Sequence, residues 1–72
     1  MNKKAQVLKQ FGNKVREERL KKGLSQEDLA EKAGVHRTYV GMIERAEKNI
    51  TLRNIQKVAK ALDLPMSDLF NF

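Results

Sequence analysis

The segment LSQEDLAEKAGVHRTYVGMIER, residues 24–45, holds two short helical patterns separated by a glycine, and it is the strongest indication of the fold. Ser25 suits the N-cap of the first helix, since its hydroxyl can accept a hydrogen bond from a free backbone N–H of the first turn. Apolar side chains then recur on one face, at Leu29, Ala30 and Ala33. Gly34 follows where the chain must turn, a position that favours glycine. The segment predicts a second helix that begins near His36 or Arg37.

The second helix has two contrasting faces when its residues are placed about 100° apart around the axis. Val40 and Ile43 fall together and are expected to face the core. The opposite side is small, polar and cationic, at Arg37, Thr38, Gly41 and Arg45. Such a face suits the DNA major groove, where arginine bonds guanine O6 and N7 and threonine offers a hydroxyl or a methyl group. For the mid-helix glycine at position 41, clearance for DNA is favoured over tight packing, which remains the alternative.

The chain resembles the lambda-repressor-like, or Xre-type, helix-turn-helix family in SQEDLAEKAGV, in the helix ending MIER, and in TLRNIQKVAKALDLPMSDLF. The resemblance extends over about residues 11–70. It implies an all-α fold, a compact five-helix bundle with the helix-turn-helix at helices 2 and 3. Within the family, HRTYVGMIERAEKNIT is similar to the small controller proteins of restriction–modification systems. Those proteins more often have serine at position 41 and glycine or asparagine at position 46.

The resemblance also implies roles for single residues. Arg19 is expected to form a structural ion pair with Glu44, which ends the recognition helix. The matching glutamine, Gln26, is expected to bind a DNA phosphate and to brace Arg37. The residues expected to read bases are Arg37, Thr38, Tyr39 and Met42. The residues expected to contact the DNA backbone are Gln26, His36, Arg45, Lys48 and Asn49.

The loop of Lys48 and Asn49 has the chemistry of a phosphate contact, a cation beside an amide donor, although an ordinary exposed loop is the alternative. The whole chain has 15 Lys and Arg against 9 Asp and Glu, a net charge of +6. This balance favours a polyanionic partner, nucleic acid before an anionic membrane surface. The cations are concentrated in residues 1–22, whereas residues 23–47 carry three cations and five acids. Specific readout therefore fits the helix-turn-helix better than a general basic patch does.

The flanking segments predict a scaffold of three further helices in one domain over residues 6–72, after a flexible tail of residues 1–5. Helix 1 is expected from about Gln6 to about Lys22, with its apolar positions at Leu8, Phe11, Val15 and Leu20. Helix 4 is expected after an N-cap at Thr51, with its apolar positions at Leu52, Ile55, Val58, Ala59 and Leu62. Pro65 marks the start of a short helix 5.

The C-terminal segment holds more large apolar side chains than the end of so small a domain is expected to leave in water. They are Met66, Phe70 and Phe72. They either pack against helix 1 or form an isologous dimer contact, and the dimer is favoured. A two-fold dimer presents two recognition helices about 34–36 Å apart and requires a nearly palindromic operator.

Several functional classes are excluded by what the sequence lacks. The chain has no cysteine and one histidine, so it predicts no disulfide, no metal site and no catalytic triad. Its glycines, at 12, 23, 34 and 41, form no phosphate-binding loop and are interpreted as breaks between elements. No catalytic residue, cofactor or small-molecule ligand is predicted. No apolar run is long enough to span a membrane, and a cytoplasmic location is expected.

The sequence therefore predicts a homodimeric, sequence-specific regulator of transcription that binds double-stranded DNA and is not an enzyme. The alternative is a protein-interaction module, an antitoxin-like or assembly partner with weak DNA affinity. The apolar C-terminal segment favours that alternative, whereas the bare outer face of the second helix disfavours it.

Overall fold

The computed structural model describes residues 3–72, with side chains from residue 6 onward, and it shows an all-α fold in which those residues form no strand. The elements are α1 (Lys3–Lys21), α2 (Gln26–Ala33), α3 (Arg37–Glu44), α4 (Leu52–Ala61) and a C-terminal 3-10 helix (Met66–Phe70). The predicted fold class is confirmed, but the count of five α-helices is corrected to four plus a 3-10 turn. The last segment is short, and 3-10 helices occur as short pieces rather than as long helices.

Local capping signals fix the boundaries of the helix-turn-helix. The Ser25 hydroxyl accepts a hydrogen bond from the Asp28 backbone N–H at 2.9 Å, and the Asp28 carboxylate accepts one from the Ser25 N–H at 3.0 Å. Gly34 ends α2 in the left-handed region, with φ of 71°. Thr51 caps α4 by accepting from the Asn54 N–H at 3.2 Å. The predicted N-caps and the glycine turn are confirmed.

The first helix is longer at its start than the sequence predicts. Helix α1 begins at Lys3, three residues before the expected start near Gln6, and ends at Lys21. Met1 and Asn2, which belong to the predicted tail, lie outside the described residues. Gly23 follows α1 with φ of 71°, a conformation that glycine adopts without steric cost.

The core lies between the four α-helices and the 3-10 helix: α3 packs on α1 and α2, and the 3-10 helix packs on α1 and α4. It contains Phe11, Val15, Leu29, Ala30, Val40, Ile43, Ile55, Val58, Ala59, Leu62 and Leu69. Two predicted core positions are wrong, because Leu20 is 56% exposed and Leu52 is 72% exposed. Leu20 follows Val15 by five residues, so the buried positions three and four residues after Val15 are Glu18 and Arg19 instead.

Gly12 has a packing role that the sequence interpretation missed. It lies within α1 and is buried, so it does not break the helix. A Cβ atom here would collide with the backbone carbonyl oxygen of Ile43 and would lie 3.0 Å from that of Glu44. The absence of a side chain therefore lets α1 approach the C-terminal end of α3.

The large apolar residues of the C-terminal segment are only partly covered by α1. The Phe70 ring packs on Phe11 of α1, with centroids 5.5 Å apart, yet Phe70 remains 46% exposed. Phe72 is 51% exposed, and Met66 is half-buried against the core. The segment thus packs partly on α1 and leaves apolar surface uncovered. None of the helices within residues 3–72 combines the length and apolar character needed to cross a membrane.

Candidate DNA interface

Helix α3 is fixed by its apolar face and presents its polar face to solvent. Val40 and Ile43 are buried in the core, as predicted. Arg37 and Thr38 in the first turn are exposed, and so is Arg45 directly after the helix. Because the buried pair sets the rotation of the helix, the outer residues have a defined direction that no flexible loop could give them.

An open groove runs between the start of α2 and the outer face of α3, with a volume of about 580 Å³. Its lining residues are Arg19, Ser25, Gln26, Glu27, Arg37, Thr38, Gly41 and Arg45. Most of them carry hydrogen-bond donors or charges, so the groove suits a polar, anionic surface. The structure thus brings together four of the predicted DNA contacts: Gln26, Arg37, Thr38 and Arg45.

A buried ion pair joins α3 to α1 at the base of this groove. Arg19 donates from Nε to Glu44 Oε2 at 2.7 Å and from Nη2 to Glu44 Oε1 at 3.0 Å. A third donation, from Nη1, reaches the Leu24 carbonyl oxygen at 2.8 Å. The hydrogen bonds to Glu44 raise the pKa of Arg19 above its ordinary value despite burial. The guanidinium is thus occupied within the protein at the place where the resemblance expects this pair.

Gln26 is bonded differently from the expectation that it braces Arg37. Its Nε2 donates to Glu44 Oε1 at 3.1 Å, so its amide extends the ion pair. Arg37 instead lies near α2 through Glu27, with Nη1 at 3.4 Å from Oε2. The charged carboxylate of Glu27 attracts the Arg37 guanidinium more strongly than the neutral amide oxygen of Gln26 can, which accounts for the difference. One N–H and the oxygen of the Gln26 amide remain available to a ligand.

Gly41, for which the sequence favours clearance for DNA over tight packing, is buried on the outer side of α3. A Cβ atom at this position would lie 2.9 Å from Nη1 of Arg45 and 3.5 Å from Oε1 of Gln26. In the free protein side chains rather than backbone cover this glycine, and it still lines the open groove, so clearance for DNA stays a prediction. Arg45 is held over it by Glu47, whose Oε2 lies 3.0 Å from Nε and whose hydrogen bond raises the pKa of Arg45.

Two of the residues expected to read bases, Tyr39 and Met42, are half-buried on the flank of α3. The Tyr39 ring packs against the core, and its hydroxyl accepts a hydrogen bond from Nδ2 of Asn54 at 3.0 Å. Sequence reasoning missed Asn54, because a contact between residues 15 positions apart leaves no trace in helical periodicity. Tyr39 is therefore partly engaged inside the protein.

The remaining predicted backbone contacts lie at the two ends of α3. His36 is its N-cap, and Nδ1 accepts a hydrogen bond from the Thr38 N–H at 3.1 Å. This capping role of His36 was not predicted from the sequence. Lys48 and Asn49 are exposed in the loop before α4. Ala46 turns that loop with φ of 60°, a conformation that favours glycine or asparagine.

Comparisons with known proteins point to one family. A family model described as helix-turn-helix, HTH_3, matches residues 15–69. Control protein C.BamHI from Bacillus amyloliquefaciens is 49% identical over 63 residues, 86% of this chain and 78% of that protein. Control protein C.SmaI from Serratia marcescens is 52% identical over 46 residues, 64% of this chain and 55% of that protein.

A solved structure is similar over nearly the same length. The restriction-modification controller protein C.AhdI from Aeromonas hydrophila superposes with a TM-score of 0.87 at 51% sequence identity. The match covers 88% of this chain and 96% of that chain. The arrangement of α2 and α3 is therefore shared with a protein whose described role is control.

Proposed function

Since the chain belongs to the HTH_3 helix-turn-helix family, we propose that it is a transcription regulator that binds a specific double-stranded DNA sequence through the major groove. One observation carries the proposal: Arg37 and Thr38 project from a helix whose rotation is fixed by buried apolar residues. In this assignment Arg37 and Thr38 read bases, with Tyr39 and Met42 beside them. The exposed residues Arg45, Lys48 and Asn49 contact phosphates.

The energetics favour release of Arg37 to DNA. Its contact with Glu27 is long, at 3.4 Å, and the two side chains are 68% and 71% exposed. An exposed pair of this kind contributes only about 0–1 kcal/mol. A two-bonded contact with guanine O6 and N7 discriminates by about 1–3 kcal/mol. The free energy lost when Arg37 leaves Glu27 is therefore smaller than the free energy by which a guanine contact discriminates against other bases.

The proposal includes a homodimer formed through the uncovered apolar surface of Met66, Phe70 and Phe72. A two-fold dimer places two α3 helices on one face of the duplex and binds a nearly palindromic operator with half-sites about one turn apart. The similarity to control proteins supports a role as the controller of a restriction–modification system. Such a role implies a cytoplasmic protein without catalytic activity.

The same apolar surface also favours a second candidate, a module that binds a different protein and has weak DNA affinity. Phe72→Asp separates the two, since Phe72 is exposed and its replacement leaves the core intact. A homodimeric regulator is expected to become monomeric and to lose affinity for the full operator, as measured by sedimentation and by DNA titration. If the chain is already a monomer and the variant loses only a heteromeric partner, the second candidate is correct.

The assignment of base reading is tested with a matched pair of variants on the DNA motif that the protein enriches from a random duplex pool. Arg37→Ala is expected to weaken binding by about 1–3 kcal/mol and to relax base preference at one position. Lys48→Ala is the control, and it should weaken all sequences about equally and reduce the salt dependence. If Arg37→Ala leaves affinity and preference unchanged, α3 does not read bases through this residue.

A further inference from the structure

The contact between Tyr39 and Asn54 joins the recognition helix to the start of α4. Within residues 6–72 it is the one side-chain hydrogen bond between these two helices, with 3.0 Å between Nδ2 of Asn54 and the Tyr39 hydroxyl oxygen. Tyr39 lies in the first turn of α3, beside Thr38, on the flank between the buried face and the outer face. Tyr39 is half-buried there, near the edge of the proposed DNA surface.

Asn54 is itself held by the N-terminus of α4. Its backbone N–H donates to the Thr51 hydroxyl, which caps the helix. The next residue, Ile55, is buried in the core and fixes the rotation of α4. The Asn54 backbone is thus anchored to the scaffold, and its side-chain amide donates to the Tyr39 hydroxyl.

The direction of this hydrogen bond determines what Tyr39 can offer to DNA. An amide nitrogen donates and cannot accept, so the phenol oxygen is the acceptor and its hydrogen remains free to be donated. Acceptors in the major groove are N7 and O6 of guanine, N7 of adenine and O4 of thymine, whereas the amino group of cytosine only donates. A phenol constrained in this way distinguishes acceptor edges from donor edges.

We propose that Asn54 is a positioning residue for base recognition, which holds Tyr39 in place and fixes its hydroxyl as a donor to an acceptor edge. Asn54 does not touch the base and acts only through Tyr39. The inference rests on the proposed function, because it requires that α3 lies in the major groove.

The test measures affinity for the enriched duplex motif and for each of its single base-pair replacements. Tyr39→Phe removes the donated hydrogen and keeps the ring. Asn54→Ala removes the anchor without adding charge. Asn54→Asp reverses the hydrogen bond, because a carboxylate accepts and the phenol must then donate to it. Aspartate suits the first turn of a helix, so this variant is expected to stay folded, as thermal unfolding verifies.

Tyr39→Phe and Asn54→Ala are each expected to weaken binding about two- to ten-fold, the range of one neutral hydrogen bond, and to flatten preference at the same base pair. In the Tyr39→Phe background, Asn54→Ala should add nothing. Asn54→Asp should remove the same preference, together with a uniform and salt-sensitive loss from its charge. A purely structural role for Asn54 predicts instead that Asn54→Asp keeps the base preference.

The inference is overturned if the two losses multiply, if they fall on different base pairs, or if Asn54→Asp retains the preference. An equal loss on all sequences would place Tyr39 on a phosphate and would also overturn it. Failure of the proposed function has a separate signature, in which the wild-type protein enriches no motif at all.

Discussion

Removal of the Glu44 carboxylate is expected to be among the most damaging single changes in this domain. The side chains of Arg19 and Glu44 are only 9% and 3% exposed, so Glu44→Ala leaves a guanidinium buried with one partner, the Leu24 carbonyl oxygen. Three hydrogen bonds to the carboxylate disappear, two from Arg19 and one from Gln26. Breaking a buried pair in this way costs about 3–5 kcal/mol.

That loss is large compared with the stability available. A domain of 72 residues is expected to unfold with a free energy of roughly 4–11 kcal/mol, at 0.05–0.15 kcal/mol per residue. The control is the double variant Arg19→Met with Glu44→Leu, which removes both charges and keeps apolar volume. Replacement of both partners is often neutral or stabilising. The double variant should therefore be more stable than Glu44→Ala alone.

The measurement is urea unfolding followed by circular dichroism, at one protein concentration because dimerisation contributes to apparent stability. The midpoint should fall for Glu44→Ala with little change in the slope. A loss below about 1 kcal/mol would show that the pair behaves as a solvated surface pair. A double variant as unstable as the sum of its single variants would show that the two side chains do not couple.

Three further stability predictions follow from backbone contacts and charge. Gly12→Ala should destabilise by about 1–3 kcal/mol in urea unfolding, because its Cβ meets the α3 backbone; an unchanged midpoint would refute the close approach. Ala46→Gly should raise the free energy of unfolding by about 0.5–1 kcal/mol, because relief of the strain at φ of 60° exceeds the entropic cost of glycine; no gain would show that the turn is unstrained. Burial raises the pKa of Glu18, but hydrogen bonds from Lys21 and Lys14 outweigh it, so the pKa lies below the ordinary 4.5. The stability that Glu18 contributes is therefore present above pH 4.5 and is lost as the pH falls through the lower folded value, so Glu18→Gln should flatten the acid limb of a stability–pH curve. An unaltered acid limb would contradict this.

Sequence alone predicts what is decided by near neighbours in the chain. Ser25 and Thr51 cap helices through residues three positions away, and Gly34 ends α2 through its own backbone angle. Val40 and Ile43 face the core because helical spacing places them together. These signals suffice for the helix-turn-helix and for the outer face of α3.

Contacts between elements could not be predicted from periodicity. The burial of Gly12 depends on how closely the C-terminal end of α3 approaches α1. Leu52 is exposed because no other element among the described residues covers its side chain at the start of α4, and helical spacing alone does not reveal this. The hydrogen bond between Tyr39 and Asn54 joins two helices, and the apolar pattern of one helix does not predict which residues of the other it contacts.

At position 46 the backbone conformation explains an expectation that came from the resemblance. The resemblance to controller proteins implies glycine or asparagine at this position, and the positive φ of Ala46 gives that expectation a physical reason. A departure from a family pattern can thus mark a strained backbone rather than an altered contact.

Methylation interference at guanine N7 measures whether Arg37 reads a guanine in the major groove. The enriched duplex is methylated sparsely, bound, separated from free DNA and cleaved at the modified guanines. Methylation of one guanine in each half-site is expected to prevent binding by the wild-type protein, because N7 can no longer accept from the arginine. Arg37→Ala should bind more weakly and be indifferent to methylation at that guanine. Wild-type binding that tolerates every N7 methyl group, or equal interference in both proteins, would contradict base reading by Arg37.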